Sequence, residues 1–120
     1  MTGYVVFAHG SSIESANDAV RAVATDMERR GGMLVAAAFL EGGQPDLRGA
    51  VDSLADRVSR IVVVPYFLTL GLHLQRDLPR LAEEVRRAHP ELEIQVTPPL
   101  DGHPSMVEVL LARAREADRT

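Results

Sequence analysis

Two histidines stand where a short apolar run gives way to polar residues. His9 closes the run in VVFAHGSS (Val5–Ser12), and His73 lies in VVVPYFLTLGLHLQRDLP (Val62–Pro79). Near neutral pH an imidazole can serve as a metal ligand, a base or a nucleophile. As a ligand it suits divalent iron, cobalt, nickel and zinc. Two imidazoles alone leave most coordination positions open, which favours an ion that must be released over one that holds a fold together. Gly10, next to His9, lets a ligand approach the backbone. Ser11 and Ser12 precede a helix start, where they either cap it or help its N–H groups bind an anion. Glu41, after the second apolar run, could accept a proton or bind metal, and His103 in GHP (Gly102–Pro104) could reach the same edge. His89, before Pro90, reads as a favourable cation at a helix end.

The elements that must position these residues can be read from periodicity. Tyr4–Ala8 and Ile61–Val64 are short apolar runs with β-branched residues, Met33–Leu40 is a continuous apolar run, and with the short Glu93–Val96 they read as four strands. Between them lie helical patterns. Glu14–Arg30 carries an apolar stripe of Ala16, Val20, Val23 and Met27, with Arg29 and Arg30 in its last turn and Gly31-Gly32 as a stop. A second helix opens at Pro45 and packs through Leu47, Val51, Leu54 and Val58. A third packs through Leu78, Leu81, Val85 and Ala88; Pro79 places its regular start near Asp77. A last helix opens at Pro104 and packs through Val107, Leu110, Leu111 and Ala114.

The resulting βαβαβαβα order predicts an α/β fold of three layers: a four-stranded parallel sheet, flavodoxin-like, with helices on both faces. In a 2-1-3-4 strand order the first and third strands are neighbours, and ligands bind beside that switch point at the strands' carboxyl ends. His9 follows strand one and His73 follows strand three, so the fold would turn both toward one crevice.

Bulk properties narrow the function classes. A chain of 120 residues predicts one domain over 1–120. The formal charge of −4 and the lack of a basic cluster argue against nucleic-acid binding. No apolar run reaches the roughly 18 residues of a membrane span. The absence of cysteine, and of a signal-peptide pattern at the N-terminus, fits a cytoplasmic enzyme. Histidine phosphoryl-transfer enzymes also place His-Gly after strand one, but with arginine before the histidine, where this chain has Ala8. A serine hydrolase elbow needs glycine two residues before and after its serine, and neither Ser11 nor Ser12 has both.

Taken in order, HGS at His9–Ser11, FLE at Phe39–Glu41 followed by Pro45, VVVPYFLTLGLH at Val62–His73, RDLP at Arg76–Pro79 and GHP at Gly102–Pro104 resemble the small class II chelatases. This is the sirohydrochlorin cobaltochelatase and ferrochelatase family, and the likeness covers nearly the whole chain. It implies insertion of a divalent metal (Co2+, Fe2+ or Ni2+) into a tetrapyrrole for cobalamin or siroheme synthesis. The metal is then a substrate, and no cofactor is bound permanently. The family's paired metal-binding histidines fall on His9 and His73, and its proton acceptor on His9. Its macrocycle contacts fall on Leu68, Thr69, Leu70, Gly71 and Leu72, with Gly10, Ser11 and Gln44 also on the substrate side. Short members of the family form homodimers, which implies a second copy of this chain as partner. Two departures remove charge from the implied pocket rim: Ser12 stands where the family often has arginine, and Gln44 where many members have glutamate. A non-catalytic metal-binding or regulatory lobe of the same fold is the alternative that these departures raise.

Overall fold

The structure, a computed structural model, describes residues 1–118. Four strands form one parallel sheet: β1 (Thr2–Ala8), β2 (Leu34–Phe39), β3 (Arg60–Pro65) and β4 (Glu93–Val96), in the order β2-β1-β3-β4. The helices are α1 (Glu14–Gly31), α2 (Leu47–Leu54), α3 (Leu72–Ala88) and α4 (Ser105–Ala117), and a single 3-10 turn over Ala55–Arg57 follows α2. Among the described residues no helix is long and apolar enough to cross a membrane.

Alternation along each strand divides the core. Val5 and Phe7 of β1, Ile61 and Val63 of β3 and Ile94 of β4 pack beneath α2 and α3, through Leu47, Val51, Leu54, Leu78, Ala82 and Val85. Val6 and Val35 face α1 and meet Ala24. Phe7 and Phe39 are essentially sealed from solvent, and burying such a side chain contributes roughly 1.5–3 kcal/mol. The central strands are therefore apolar on both faces, as a parallel sheet requires.

Four local expectations need correcting. The buried face of α1 runs through Asn17 and Ala24 with Val20 and Met27 at its margin, while Ala16 is exposed. Pro45 stands before α2, not within it: Asp46 is the N-cap, and its Oδ1 accepts from the Gly49 N–H at 2.8 Å. Helix α3 begins at Leu72 rather than near Asp77, with Pro79 inside it. Proline there removes only the N–H that would reach the Gln75 carbonyl, and buried Leu74, Leu78 and Ala82 hold the helix together across it. The fourth correction is the largest: α4 buries none of its residues. Val107, Leu110 and Leu111, expected to pack, are 58%, 65% and 40% exposed. With α4 standing off the sheet, the radius of gyration is 15.3 Å, against about 13.6 Å for a compact chain of this length.

Candidate metal centre

The strand register brings the carboxyl ends of β1, β2 and β3 level. Ala8 pairs with Phe39, and Phe7 with Pro65. The ladder runs on past β1 and β2: Leu40 N–H donates to the Ala8 carbonyl at 2.9 Å, and Glu41 N–H to the His9 carbonyl at 3.0 Å. His9 and Glu41 thus leave the sheet side by side, at the carboxyl ends of β1 and β2, with β3 on the far side of β1. The His9 Nε2 lies 3.5 Å from Glu41 Oε1, and the side chains are 57% and 69% exposed. The His9 Nδ1 is 3.2 Å from the Gly10 carbonyl. When Nδ1–H donates to that carbonyl, Nε2 carries the lone pair and faces a carboxylate. Two acceptors so placed are stabilised by a proton or a cation between them.

Two glycines let the loops after β1 and β2 cross at this distance. Gly10 has φ +91°, and a Cβ there would fall 1.6 Å from the Glu41 carbonyl oxygen. Gly42 has φ +72°, and its Cβ would meet the Ser11 backbone at 2.9 Å. Either side chain would force the loops apart. Ser11 is engaged locally: its Oγ accepts from the Ile13 N–H at 3.0 Å, just before α1. Ser12 and the Gln44 side chain are exposed, and the Gln44 carbonyl accepts from Arg21 at 2.8 Å.

His73 is the second residue of α3, exposed at the same edge beyond β3. Gly71 is the N-cap of that helix and supplies no side-chain bond. Arg76 donates to the His73 Nδ1 at 3.3 Å and also contacts Asp77. Ligation through Nδ1 would displace that guanidinium. The loop between β3 and α3 presents Leu68 and Leu72, 62% and 84% exposed, and Thr69. Phe67 turns inward against Phe7, ring centroids 6.1 Å apart. Leu70 also packs on the core, and with Leu74, Leu78, Pro79, Arg86 and Val96 it lines an open groove of about 400 Å³ between α3 and β4. Gly71 has φ −69° and open space about it, so there is room there for a flat ligand.

His103 lies in the loop before α4, which is tied to the β3–α3 loop. Leu100 N–H donates to the Phe67 carbonyl at 3.0 Å and Asp101 N–H to Leu68 at 2.8 Å. The His103 Nδ1 accepts the Ser105 N–H at 3.1 Å, a capping role for α4. Among the described residues no three His, Asp or Glu side chains gather tightly enough to enclose a metal ion. The arrangement is an open rim at the carboxyl edge: the His9–Glu41 pair where the loops after β1 and β2 cross, and His73 in the first turn of α3, after β3. Sequence reasoning missed Asn17, buried at 1% exposure beneath the crossing loops. An amide at the phase of Val20, Ala24 and Met27 was its only signal.

The comparisons with known proteins agree with this fold. A family pattern described as CbiX matches residues 3–117. The chain is 31% identical over 121 residues to the sirohydrochlorin cobaltochelatase of Sulfurisphaera tokodaii, spanning 100% of this chain and 97% of that one. It is 33% identical over 123 residues to the sirohydrochlorin cobaltochelatase of Saccharolobus solfataricus, spanning 97% and 95%. Among solved structures, a CbiX protein of Marinobacter aquaeolei VT8 superposes with a TM-score of 0.85 at 24% identity, over 100% of both chains. The sirohydrochlorin chelatase SirB of Bacillus subtilis subspecies spizizenii, solved in complex with cobalt, gives a TM-score of 0.86 at 19% identity, over 96% of this chain but 50% of SirB. At those identities the two structures bear on fold alone. With the family pattern and the relatives spanning nearly every residue, the chain belongs to the CbiX family.

Proposed function

We propose that this protein is a metal chelatase that inserts Co2+ or Fe2+ into sirohydrochlorin or a related tetrapyrrole, in cobalamin or siroheme biosynthesis. The observation that carries the proposal is the His9–Glu41 pair, 3.5 Å apart at the carboxyl ends of the neighbouring strands β1 and β2, in a chain whose relatives, matched over nearly their whole length, bear the name sirohydrochlorin cobaltochelatase. Insertion needs a partly dehydrated metal, a base for the pyrrolic protons and a ring held with one face toward the ion. His9 and His73 hold the ion while leaving exchangeable positions, and Glu41 adds a carboxylate beside His9. As the ion passes to the ring nitrogens, two pyrrolic protons leave: the freed His9 imidazole takes one and the Glu41 carboxylate, or solvent at this open rim, takes the other. The exposed faces of Leu68 and Leu72 take the flat ring, with Thr69, Leu70 and Gly71 between them and Gly10, Ser11 and Gln44 on the opposite rim.

The working form is a cytoplasmic homodimer. Support comes from α4, whose Val107, Leu110 and Leu111 stand in solvent, and from SirB, where this fold fills half of a chain twice as long. A second copy is thus the partner expected for the apolar face of α4.

The deciding experiment is His73→Ala, with Co2+ insertion followed through the absorption spectrum of sirohydrochlorin. Insertion should fall at least about 100-fold, within the range for loss of a group acting directly on the reaction. An unchanged rate would remove the two-histidine mechanism. Wild-type protein that binds Co2+ yet never changes the ring's spectrum would identify a metal carrier instead.

A further inference from the structure

Asn17 is the buried polar side chain among the described residues, 1% exposed in the first turns of α1. Its amide is fully engaged. Oδ1 accepts the Ser11 N–H at 2.9 Å. Nδ2 donates to the Ser11 carbonyl at 2.9 Å and to the Gly42 carbonyl at 3.1 Å, and it touches Glu14 Oε2 at 3.3 Å. One side chain therefore holds both crossing loops, Ser11 two residues beyond His9 and Gly42 directly after Glu41. Gly43 closes the other side of the amide, since a Cβ there would fall 2.9 Å from Nδ2. Among the described residues no other side chain is hydrogen-bonded to both loops at these positions. Without the amide, three backbone groups lose their partners in a place water reaches poorly.

We propose that Asn17 is the positioning residue of the metal centre, fixing the His9–Glu41 separation by clamping the two loops that carry them. The proposal rests on the reading of His9 as a metal ligand. The clamp acts as outer-shell support does at metal sites, where losing such a partner typically lowers affinity about 10- to 100-fold. Asn17 touches neither the ion nor the ring.

The test is Co2+ affinity, measured by calorimetric titration of the full-length protein. Asn17→Ala should weaken binding by about 10- to 100-fold. Gly43→Ala, which pushes the amide aside without removing it, should weaken binding in the same direction and carries the test if Asn17→Ala fails to fold. Leu92→Ala, at the opposite edge of the sheet where Leu92 is 6% exposed, serves as a control for stability. It should lower the thermal midpoint and leave Co2+ affinity unchanged. Wild-type affinity in Asn17→Ala, or in Gly43→Ala if only that variant folds, overturns the clamp. So does an equal loss of affinity in Leu92→Ala. His9→Ala separates the two levels: if it binds Co2+ like the wild type, the reading of the site fails, whatever Asn17 does.

Discussion

Gly10→Ala tests the loop crossing most directly. The added Cβ would stand 1.6 Å from the Glu41 carbonyl oxygen, and real Cβ atoms essentially never come closer than 3.0 Å. The loops must therefore part by about 1.4 Å, the difference between those distances. That motion stretches or breaks the Glu41 N–H to His9 carbonyl bond, now 3.0 Å, and carries the Glu41 carboxylate away from the imidazole. A misplacement of about 1 Å can cost on the order of 100-fold in rate. Backbone strain is a separate cost, since φ is +91° and a left-handed non-glycine residue costs about 1–2 kcal/mol. Gly102→Ala isolates that strain, because Gly102 has φ +77° with nothing within 4 Å of its Cβ position. For a domain near this size the strain alone lowers the midpoint by about 4 °C per kcal/mol. The assay pairs thermal unfolding with Co2+ insertion. Gly102→Ala should be less stable and insert metal at the wild-type rate, whereas Gly10→Ala should be destabilised further and insert about 100-fold more slowly. A Gly10→Ala variant with wild-type turnover would refute the dependence of the chemistry on the crossing. Equal slowing in both variants would assign the loss to strain.

Two further outcomes follow from features away from the loops. His89 Nε2 lies 2.6 Å from Asp52 Oδ1, with Glu91 beside its Nδ1; the bond to Asp52 above all lifts the imidazole's pKa above its ordinary value, and that to His89, with Arg48 assisting, holds the Asp52 carboxyl below its own. Stabilisation from the raised histidine is full below about pH 6.5 and fades as pH rises through the lifted value, so the gap in urea midpoint between wild type and His89→Gln should be widest near pH 5.5 and narrow as pH rises past the lifted value. The gap should be modest, because Asp52 is half-exposed, and a gap that grows with pH would contradict the pairing. In α4, Leu110→Glu should convert a dimer to a monomer in sedimentation velocity with little change in monomer stability, since Leu110 is 65% exposed; a wild-type chain that sediments as a monomer would dismiss the assembly.

Strand order and the switch point were legible because they follow from alternation and handedness: four apolar runs separated by helical patterns leave few arrangements of a parallel sheet. His9 and His73 are found at its carboxyl edge for the same reason. What the pattern hid was context. Periodicity marks an apolar face but not what covers it, so α4 was expected on its own sheet although Val107 and Leu110 stand in solvent. Asn17 was passed over because an asparagine is ordinarily solvated, and only two loops meeting over it from distant parts of the chain make its burial favourable. Pro79 misplaced the start of α3, because the loss of one hydrogen bond is outweighed by the packing of Leu74 and Leu78.

The two imidazoles are mounted with unequal stiffness. His9 continues a central strand and is laced to its neighbour by the Glu41 N–H, so it behaves as an anvil. His73 rides the opening turn of a helix whose N-cap, Gly71, offers no side-chain bond, and such turns fray readily. On the proposed two-histidine reading, the span between the imidazoles would give first at the His73 end. That asymmetry would accommodate ions of differing radius and let the cargo leave from the softer side.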